Sequence, residues 1–250
     1  MRQIFYSHKI LLCLAFSFLV SHISAQEKIQ TDRPDQSDGA SVISNGKFQL
    51  ESSIIYARIK DSAGSYISST LLRYGLFKGF ELRATAEQGK NRDLYISETV
   101  QGFYPLTIGF KSELLQEKKY TPAISLVGYL QLPFTNHNSK GYYWSPALFL
   151  IAEKKIDHLM IDVNVGPKQA AFSNEWSVQF SGDLKYEAGE HLNVFGEYFA
   201  QCDSHQPQHN VDFGVQLLVT KSVELHVAAG SSIHYRPHNY FLSIGGGVAF

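Results

Sequence analysis

Residues 176–186 read Trp-Ser-Val-Gln-Phe-Ser-Gly-Asp-Leu-Lys-Tyr, so apolar and polar side chains alternate with a period of two. Successive side chains of a β-strand point to opposite faces, and this stretch therefore predicts a strand with one apolar and one polar face. Residues 80–87, 211–219 and 223–230 alternate in a similar way, whereas no comparable stretch places apolar residues at helical spacing. The pattern predicts an all-β protein.

The same pattern predicts about twelve strands along the chain. They cover residues 47–60, 66–77, 79–88, 106–115, 122–133, 142–153, 158–166, 174–187, 191–201, 209–219, 223–234 and 239–250. Strands of about ten residues suit a tilted crossing of a bilayer. Short links such as 78–79 alternate with longer polar links such as 89–105 and 134–141, which is typical of outer-membrane barrels. We predict a closed, antiparallel, up-and-down transmembrane β-barrel over residues 47–250, with its least certain boundaries at 89–106.

The first 25 residues have the features of a secretory signal peptide. Arg2 and Lys9 precede and flank an apolar run over residues 10–20, and small residues at 23–25 offer a cleavage site. At roughly 11 residues this run is too short to cross a bilayer as a helix. We expect residues 1–25 to be removed, leaving an N-terminal segment at 26–46 before the barrel.

Composition excludes several classes of protein. Charged residues make up 18% of the chain, below the usual value of about 25%, while aromatic residues reach 13%. Without Arg2 and Lys9, 20 basic residues face 23 acidic ones, and no basic stripe predicts a nucleic-acid partner. Cys202 is the one cysteine after residue 25, so no disulfide within the chain is expected, and no motif predicts a cofactor.

The last strand carries a further signal. Apolar residues alternate through residues 240–250, and the sequence ends with Phe250. An aromatic residue that ends an alternating strand resembles the signature by which barrel-assembly machinery recognises outer-membrane proteins. We therefore expect the outer membrane of a Gram-negative bacterium as the location, membrane lipid and the assembly machinery as partners, and a monomer as the state.

Several short motifs resemble one known family. They are Thr31-Asp32-Arg33-Pro34-Asp35, residues 45–51 (Asn-Gly-Lys-Phe-Gln-Leu-Glu), residues 72–76 (Leu-Arg-Tyr-Gly-Leu), residues 80–83 (Phe-Glu-Leu-Arg) and residues 130–133 (Leu-Gln-Leu-Pro). The set resembles the outer-membrane "MetA-pathway of phenol degradation" family, over essentially all of residues 30–250. Phe134 departs from the Pro-Thr-Gly with which the family often continues. The resemblance implies a barrel that transports small molecules, aromatic or hydrophobic ones among them.

If the apolar faces meet lipid, a set of charged residues points into the lumen. This set consists of Arg73, Glu81, Arg83, Glu87, Lys111, Glu113, Asp162, Glu175, Asp183, Lys185, Glu197, Asp212 and Glu224. One interpretation is a lattice of ion pairs that fills a narrow barrel, and the other is a charged lining that selects solutes. The excess of acidic members predicts a preference for cations.

The polar motif Thr31, Asp32, Arg33, Pro34 and Asp35 precedes the first strand. Pro34 favours an extended conformation at the preceding residue, so the motif does not predict a helix. It is either a periplasmic lead-in below the barrel or a tether that folds inward and meets the lumenal charges.

Two histidine pairs share a spacing of four residues, namely His205 with His209 and His234 with His238. A zinc site needs three or four converging ligands, and the polar residues 206–208 instead suggest an exposed loop, so we predict no metal. No nucleophile elbow, zinc-protease helix or phosphate loop occurs, and we predict that the protein is not an enzyme.

The sequence thus predicts an outer-membrane channel that passes small solutes passively through a charged lumen. A plugged structural or adhesive barrel is one alternative, and a lipid-modifying barrel enzyme is another. The solute, the direction of transport and the openness of the lumen are not fixed by these patterns.

The position of Phe250 gives a first testable prediction. Phe250→Ala should lower the amount of folded protein in the membrane far more than Phe134→Ala, because Phe250 ends the strand that closes the barrel. Heat-modifiable gel mobility measures the folded fraction. Equal losses for the two variants would contradict a special role for the terminal residue.

Overall fold

The computed structural model describes residues 28–33, 36–59, 64–92, 99–133, 143–170, 174–203, 207–233 and 239–250. Every regular element among them is a β-strand. The strands are β1 (Phe48–Ile59), β2 (Ser65–Phe77), β3 (Phe80–Arg92), β4 (Thr99–Phe103), β5 (Thr107–Leu115), β6 (Ala123–Gln131), β7 (Ser145–Ile156), β8 (Leu159–Gln169), β9 (Trp176–Glu187), β10 (Leu192–Cys202), β11 (Gln208–Thr220), β12 (Val223–Ser232) and β13 (Asn239–Ala249).

The strands form one closed antiparallel sheet. Each pairs with its neighbour in sequence from β5 to β13, β13 returns to pair with β1, and β1 continues through β2 to β3. Two strands share the remaining edge of β3, since β5 pairs with Phe80–Thr85 and β4 pairs with Gln88–Arg92. β4 and β5 thus together occupy one strand position of the wall, which makes a barrel of twelve strand positions.

The predicted closed twelve-strand barrel is confirmed, with shifted boundaries in its least certain region. β3 runs four residues further than predicted, and residues 99–103, which the sequence left open as loop or as an early start of the fourth strand, pair with its far end. Pro105 lies between β4 and β5 and has no amide N–H for a ladder hydrogen bond, which accounts for the interruption there. β8 also extends beyond its predicted end at residue 166 and continues through Pro167 to Gln169.

Polarity is inverted relative to a soluble protein. The buried side chains are mostly polar or charged, and the exposed ones include many large apolar residues such as Ile54, Leu148, Leu184 and Ile244. A wall with this pattern is stable when lipid surrounds it and when the polar groups of its interior find partners. At the end that carries the short turns, aromatic rings stack on one another, as Phe48 does on Tyr74 with centroids 4.4 Å apart.

Glycines lie directly opposite aromatic residues on neighbouring strands. The paired residues are Gly109 with Tyr129, Gly128 with Phe110, Gly196 with Phe213, Gly214 with Phe195 and Gly230 with Phe241. The space above each glycine receives the opposite ring: a Cβ atom at Gly214 would lie 2.4 Å from the ring of Phe195. Such pairs fix the strand register, because a slip of one residue would replace glycine with a bulkier neighbour.

Gly214→Ala should therefore lower barrel stability by about 1–3 kcal/mol, the usual cost of overpacking. Gly182→Ala is the matched control, because its added Cβ would meet no atom nearer than 3.9 Å. The thermal midpoint on heat-modifiable gels compares the two. The added Cβ would also lie 2.6 Å from the carbonyl oxygen of Val227, so Phe195→Ala should restore part of the stability of Gly214→Ala. No restoration would show that the clash with the ring is not the cause.

Candidate functional site: a polar segment inside the barrel

The described part of the N-terminal segment, residues 28–33 and 36–46, contacts inward-facing side chains on all sides of the barrel; we call it the plug. It enters at the end with short turns, where the amide of Ile29 donates to the carbonyl of Lys221 at 2.8 Å. It leaves at the same end, where the amide of Gly46 donates to the carbonyl of Gly75 at 2.7 Å. Of the two courses that the sequence left open for this segment, these contacts follow the inward one.

Three cations of the wall, Arg73, Arg83 and Lys111, form a basic cluster on β2, β3 and β5. All three contact one carboxylate oxygen of Asp32 in the plug, at 3.2, 2.6 and 2.9 Å. Their side chains are fully buried. Asp32 therefore joins three strands through a single carboxylate.

Further contacts compensate the remaining charge of the basic cluster. Arg73 also pairs with Glu51 at 3.1 Å and Glu81 at 2.9 Å, and Arg83 pairs with Asp38 of the plug at 3.1 Å. Lys111 donates to the carbonyl of Gly39 at 2.7 Å. Arg73 and Arg83 lie directly opposite each other, so acidic partners, two of them from the plug, separate like charges.

The electrostatic environment keeps Asp32 ionised. Burial by itself would raise the pKa of this carboxyl, but the positive charges of Arg73, Lys111 and Arg83 outweigh burial and hold the pKa well below its usual range. The basic cluster thus faces a permanent negative charge.

The opposite side of the wall carries five acidic residues at directly paired positions of five consecutive strands. This acidic row consists of Glu153 on β7, Asp162 on β8, Asp183 on β9, Glu197 on β10 and Asp212 on β11. Like charges at opposed positions of a sheet destabilise it unless other groups compensate them. A compensating partner for the row must come largely from inside the barrel.

The plug supplies donors to the acidic row. The amide of Gln36 donates to Glu197 at 2.7 Å, and the amide of Ala40 donates to Glu153 at 2.9 Å. The hydroxyl of Ser37 contacts both Glu197 and Ser181. The plug therefore presents carboxylates to the basic cluster and backbone N–H groups to the acidic row.

Above the plug, at the end with long loops, lies a cavity of about 280 Å³, which we call the vestibule. Its charged lining includes Arg33 of the plug, Glu87 of β3 and Lys168 of β8. Most of the other lining side chains are polar, among them Gln131 and Gln179. The vestibule is closed on its lower side by Asp32, Gln36 and Asp38 of the plug.

The structure buries most of the predicted lining residues. Those with side chains turned inward and buried are Arg73, Glu81, Arg83, Lys111, Asp162, Asp183, Lys185, Glu197, Asp212 and Glu224. Glu87 is half-buried in the vestibule. Glu113 is half-buried and accepts from Gln116 beside the turn at Gly79, and Glu175 is exposed ahead of β9.

Several residues that hold the plug were absent from the sequence prediction. Glu51 accepts from the amide of Asp32 at 2.9 Å, and Tyr129 donates its hydroxyl to Asp38 at 2.9 Å. Glu51 follows the same alternation as its neighbours on β1 and could have been found from it. Lys168 follows Pro167, where the predicted strand had already ended.

Some predictions fall on parts of the chain that the structure does not describe. They are the signal peptide at 1–25, Pro34 and Asp35, Phe134, the loop core at 134–141, and His205, His234 and His238. Within the described ranges, no group of three or more His, Cys, Asp or Glu side chains could hold a metal ion, and Cys202 is a free, exposed thiol. No helix among the described residues is long and apolar enough to span a membrane.

A family model described as "Putative MetA-pathway of phenol degradation" matches residues 31–250, which include both the plug motif and the whole barrel. The chain belongs to this family. The resemblance drawn from the short motifs is thereby confirmed. No curated protein sequence matches the chain.

Solved structures share this fold at low sequence identity. An outer membrane channel from Pseudomonas putida F1 superposes with a TM-score of 0.61 at 13% identity, over 88% of this chain and 100% of that one. The NanC porin gives a TM-score of 0.57 at 9% identity, over 80% and 98% of the two chains. The KdgM porin gives 0.55 at 10% identity, over 80% and 99%. The barrel therefore shares the fold of outer-membrane channels and porins.

The role of Asp32 is testable by Asp32→Asn, which keeps the shape of the side chain and removes its charge. Removing one partner of a buried ion pair costs about 3–5 kcal/mol, so the plug should loosen. We expect a lower thermal midpoint and protease cleavage within residues 28–46 of the folded protein.

Asp157→Asn is the matched control for this substitution. Asp157 is exposed in the turn between β7 and β8 with φ of 54°, a conformation that Asn accepts readily. If both variants melt and resist protease like the unmodified protein, Asp32 does not anchor the plug.

Proposed function

We propose that this protein is a passive outer-membrane channel for small solutes, and that its lumen conducts when the plug moves away from the wall. The observation that carries the proposal is the plug itself. It fills the middle of the barrel mainly through polar contacts, although Ala40 also packs in a small apolar cluster with Val127, Phe149 and Ile151 of the wall. Charged and hydrogen-bonded contacts can be exchanged for water at modest net cost, whereas a dry core cannot.

The two ends of the plug support this interpretation. Both leave at the end with short turns, and both are held there by backbone hydrogen bonds of Ile29 and Gly46. A segment attached at one end of the barrel can shift within the lumen without unfolding the wall. The wall is held independently by its closed ladder of strands.

The charged lining bears on selectivity once the plug has shifted. Asp212 and Glu224 then face the lumen, and the acidic row would favour cations over anions in a narrow passage. Glu224 now contacts the hydroxyl of Thr31 in the plug. The preference for cations therefore belongs to the open state of the proposed channel.

Two other functions compete with the channel. A structural barrel with a permanent plug would use the same contacts but would not conduct. A lipid-modifying enzyme would need a nucleophile and base together on the lipid-facing wall. His226 instead lies on the inner face, 3.8 Å from Glu224. We favour the channel without enzymatic activity, acting as a monomer after removal of residues 1–25 and inserted by the barrel-assembly machinery.

A reversible lock tests the channel directly. The hydroxyl oxygens of Ser37 in the plug and Ser181 on β9 are 2.8 Å apart, so Ser37→Cys with Ser181→Cys should allow a disulfide between plug and wall. Cys202→Ser removes the exposed native thiol. In planar bilayers the oxidised protein should be silent, and reduction should restore conductance to the level of Cys202→Ser alone.

The matched controls are the two single cysteine variants, which should conduct equally with and without reductant. The disulfide is verified by mass spectrometry of a peptide digest. Equal conductance in the locked and reduced states would show that the plug does not gate the channel. Silence in every state, including Cys202→Ser, would favour the permanently plugged structural barrel.

A further inference from the structure

The vestibule carries charges that the rest of the lumen does not compensate. Glu87 and Lys168 both line it, and in the described part of the chain their side chains form neither hydrogen bonds nor ion pairs. The guanidinium of Arg33 donates to the hydroxyl of Ser69 at 2.9 Å and pairs with no carboxylate among the described residues. Elsewhere in the lumen, the cations of the basic cluster have carboxylate partners.

Arg83, Asp32 and Asp38 also line the vestibule but pair with one another, so Arg33, Lys168 and Glu87 are the charged groups left to meet a solute there. The charges of Glu87 and Arg33 both act on Lys168. A volume of about 280 Å³ lies just below the range of about 300–1,000 Å³ typical of ligand pockets. It admits a molecule of few heavy atoms rather than a chain of several units.

The remaining lining decides between polar and apolar solutes. Gln131 on β6 and Gln179 on β9 are half-buried and offer amide donors and acceptors to the cavity. Thr85 and Thr107 add hydroxyls, and Leu71, Ala147 and Phe149 are its apolar members. A purely apolar solute would strip water from Lys168, Glu87 and the amides without replacing the lost hydrogen bonds, which opposes its binding.

We propose that the vestibule is a capture site for a small zwitterion, a molecule of the α-amino acid class. Its carboxylate lies between Arg33 and Lys168, and its ammonium group lies against Glu87. A simple carboxylate would meet Arg33 and Lys168 but would be repelled by Glu87, and a simple amine would meet Glu87 but would be repelled by both cations. A zwitterion supplies both partners with no net charge brought into the lumen.

This site rests on the proposed channel, since it names the class of solute that the channel would take up. It also involves the plug, because Arg33 belongs to the plug and Lys168 belongs to the wall. A solute that bridges them binds the plugged conformation. The site therefore captures solute before the channel opens.

Three molecules of nearly equal size distinguish the contribution of the solute's carboxylate from that of its ammonium group. L-alanine carries both groups, L-lactate replaces the ammonium group with a hydroxyl, and L-alaninamide replaces the carboxylate with an amide. Ligand-observed NMR titrations on the full-length mature barrel in detergent measure binding of each. We expect L-alanine to bind about tenfold more tightly than either analogue, as loss of one charge-assisted contact implies.

Two variants assign each half of the site. Lys168→Gln should weaken L-alanine and L-lactate about tenfold and leave L-alaninamide unchanged. Glu87→Gln should weaken L-alanine and L-alaninamide and leave L-lactate unchanged. Lys119→Gln, in the exposed turn between β5 and β6, is the control with the same loss of charge and should bind all three molecules like the unmodified protein.

The outcomes separate this inference from the proposed channel. Equal binding of L-alanine and L-lactate would overturn the zwitterion in favour of a plain carboxylate. Equal weakening of all three molecules by Lys168→Gln or Glu87→Gln would show that the substituted residue supports the structure and does not contact one group of the solute. No detectable binding of L-alanine would overturn the site altogether. The conductance of the same preparation, measured after release of the cysteine lock, tests the channel separately, so either conclusion can fail while the other stands.

Discussion

The arrangement inside this barrel depends on the contact of Asp32 with Arg73, Arg83 and Lys111. Three cations on adjacent strands repel one another, and their burial in a low-dielectric interior removes their hydration. Both effects destabilise the barrel strongly unless a counter-charge is present. Glu51 and Glu81 of the wall provide part of it. Asp32 provides the part that touches all three cations at once, and it comes from a segment outside the sheet.

The acidic row poses the same problem with the opposite sign, and the plug compensates two of its five members, Glu153 and Glu197, by different means. A second set of cations in the plug would have repelled the basic cluster across a narrow lumen. The plug instead offers the N–H groups of Gln36 and Ala40, which carry partial positive charge and add no net charge. One segment thus contacts groups of opposite charge on two sides of the barrel, because its carboxylates meet the basic cluster and its backbone N–H groups meet the acidic row.

The sequence predicted the wall well because a strand that separates lipid from a polar lumen must alternate along its whole length. That requirement is local, so each of the twelve strands could be recognised from its own alternating stretch, as in residues 176–186. The strand prediction was least accurate where the local alternation does not indicate how the strands pair. Residues 99–103 pair with the extension of β3, and their short run carries too few alternations to identify a strand.

The inner site was less predictable, since it depends on which residues face each other across the lumen. Alternation identified Arg73 and Arg83 as inward-facing and suggested that they share Glu81, which lies 2.9 Å from Arg73 and 3.7 Å from Arg83 in the structure. It did not indicate that Asp32 and Asp38, about 40 to 50 positions earlier in the chain, also compensate Arg83. No periodicity in the sequence reports such a contact, because it is fixed by the course of an irregular segment.

Adjacent residues of the plug connect its anchor with the vestibule. Asp32 faces the basic cluster, while the next residue, Arg33, reaches the cavity above and Ser69 on β2. A displacement that breaks the contacts of Asp32 also shifts the backbone of Arg33, since one peptide unit joins them. By thermodynamic linkage, a solute held through Arg33 stabilises the seated plug to the same extent that the seated plug favours the solute. In the proposed channel, capture of a solute therefore opposes opening, and a solute would pass only after its contact with Arg33 is exchanged for contacts deeper in the lumen.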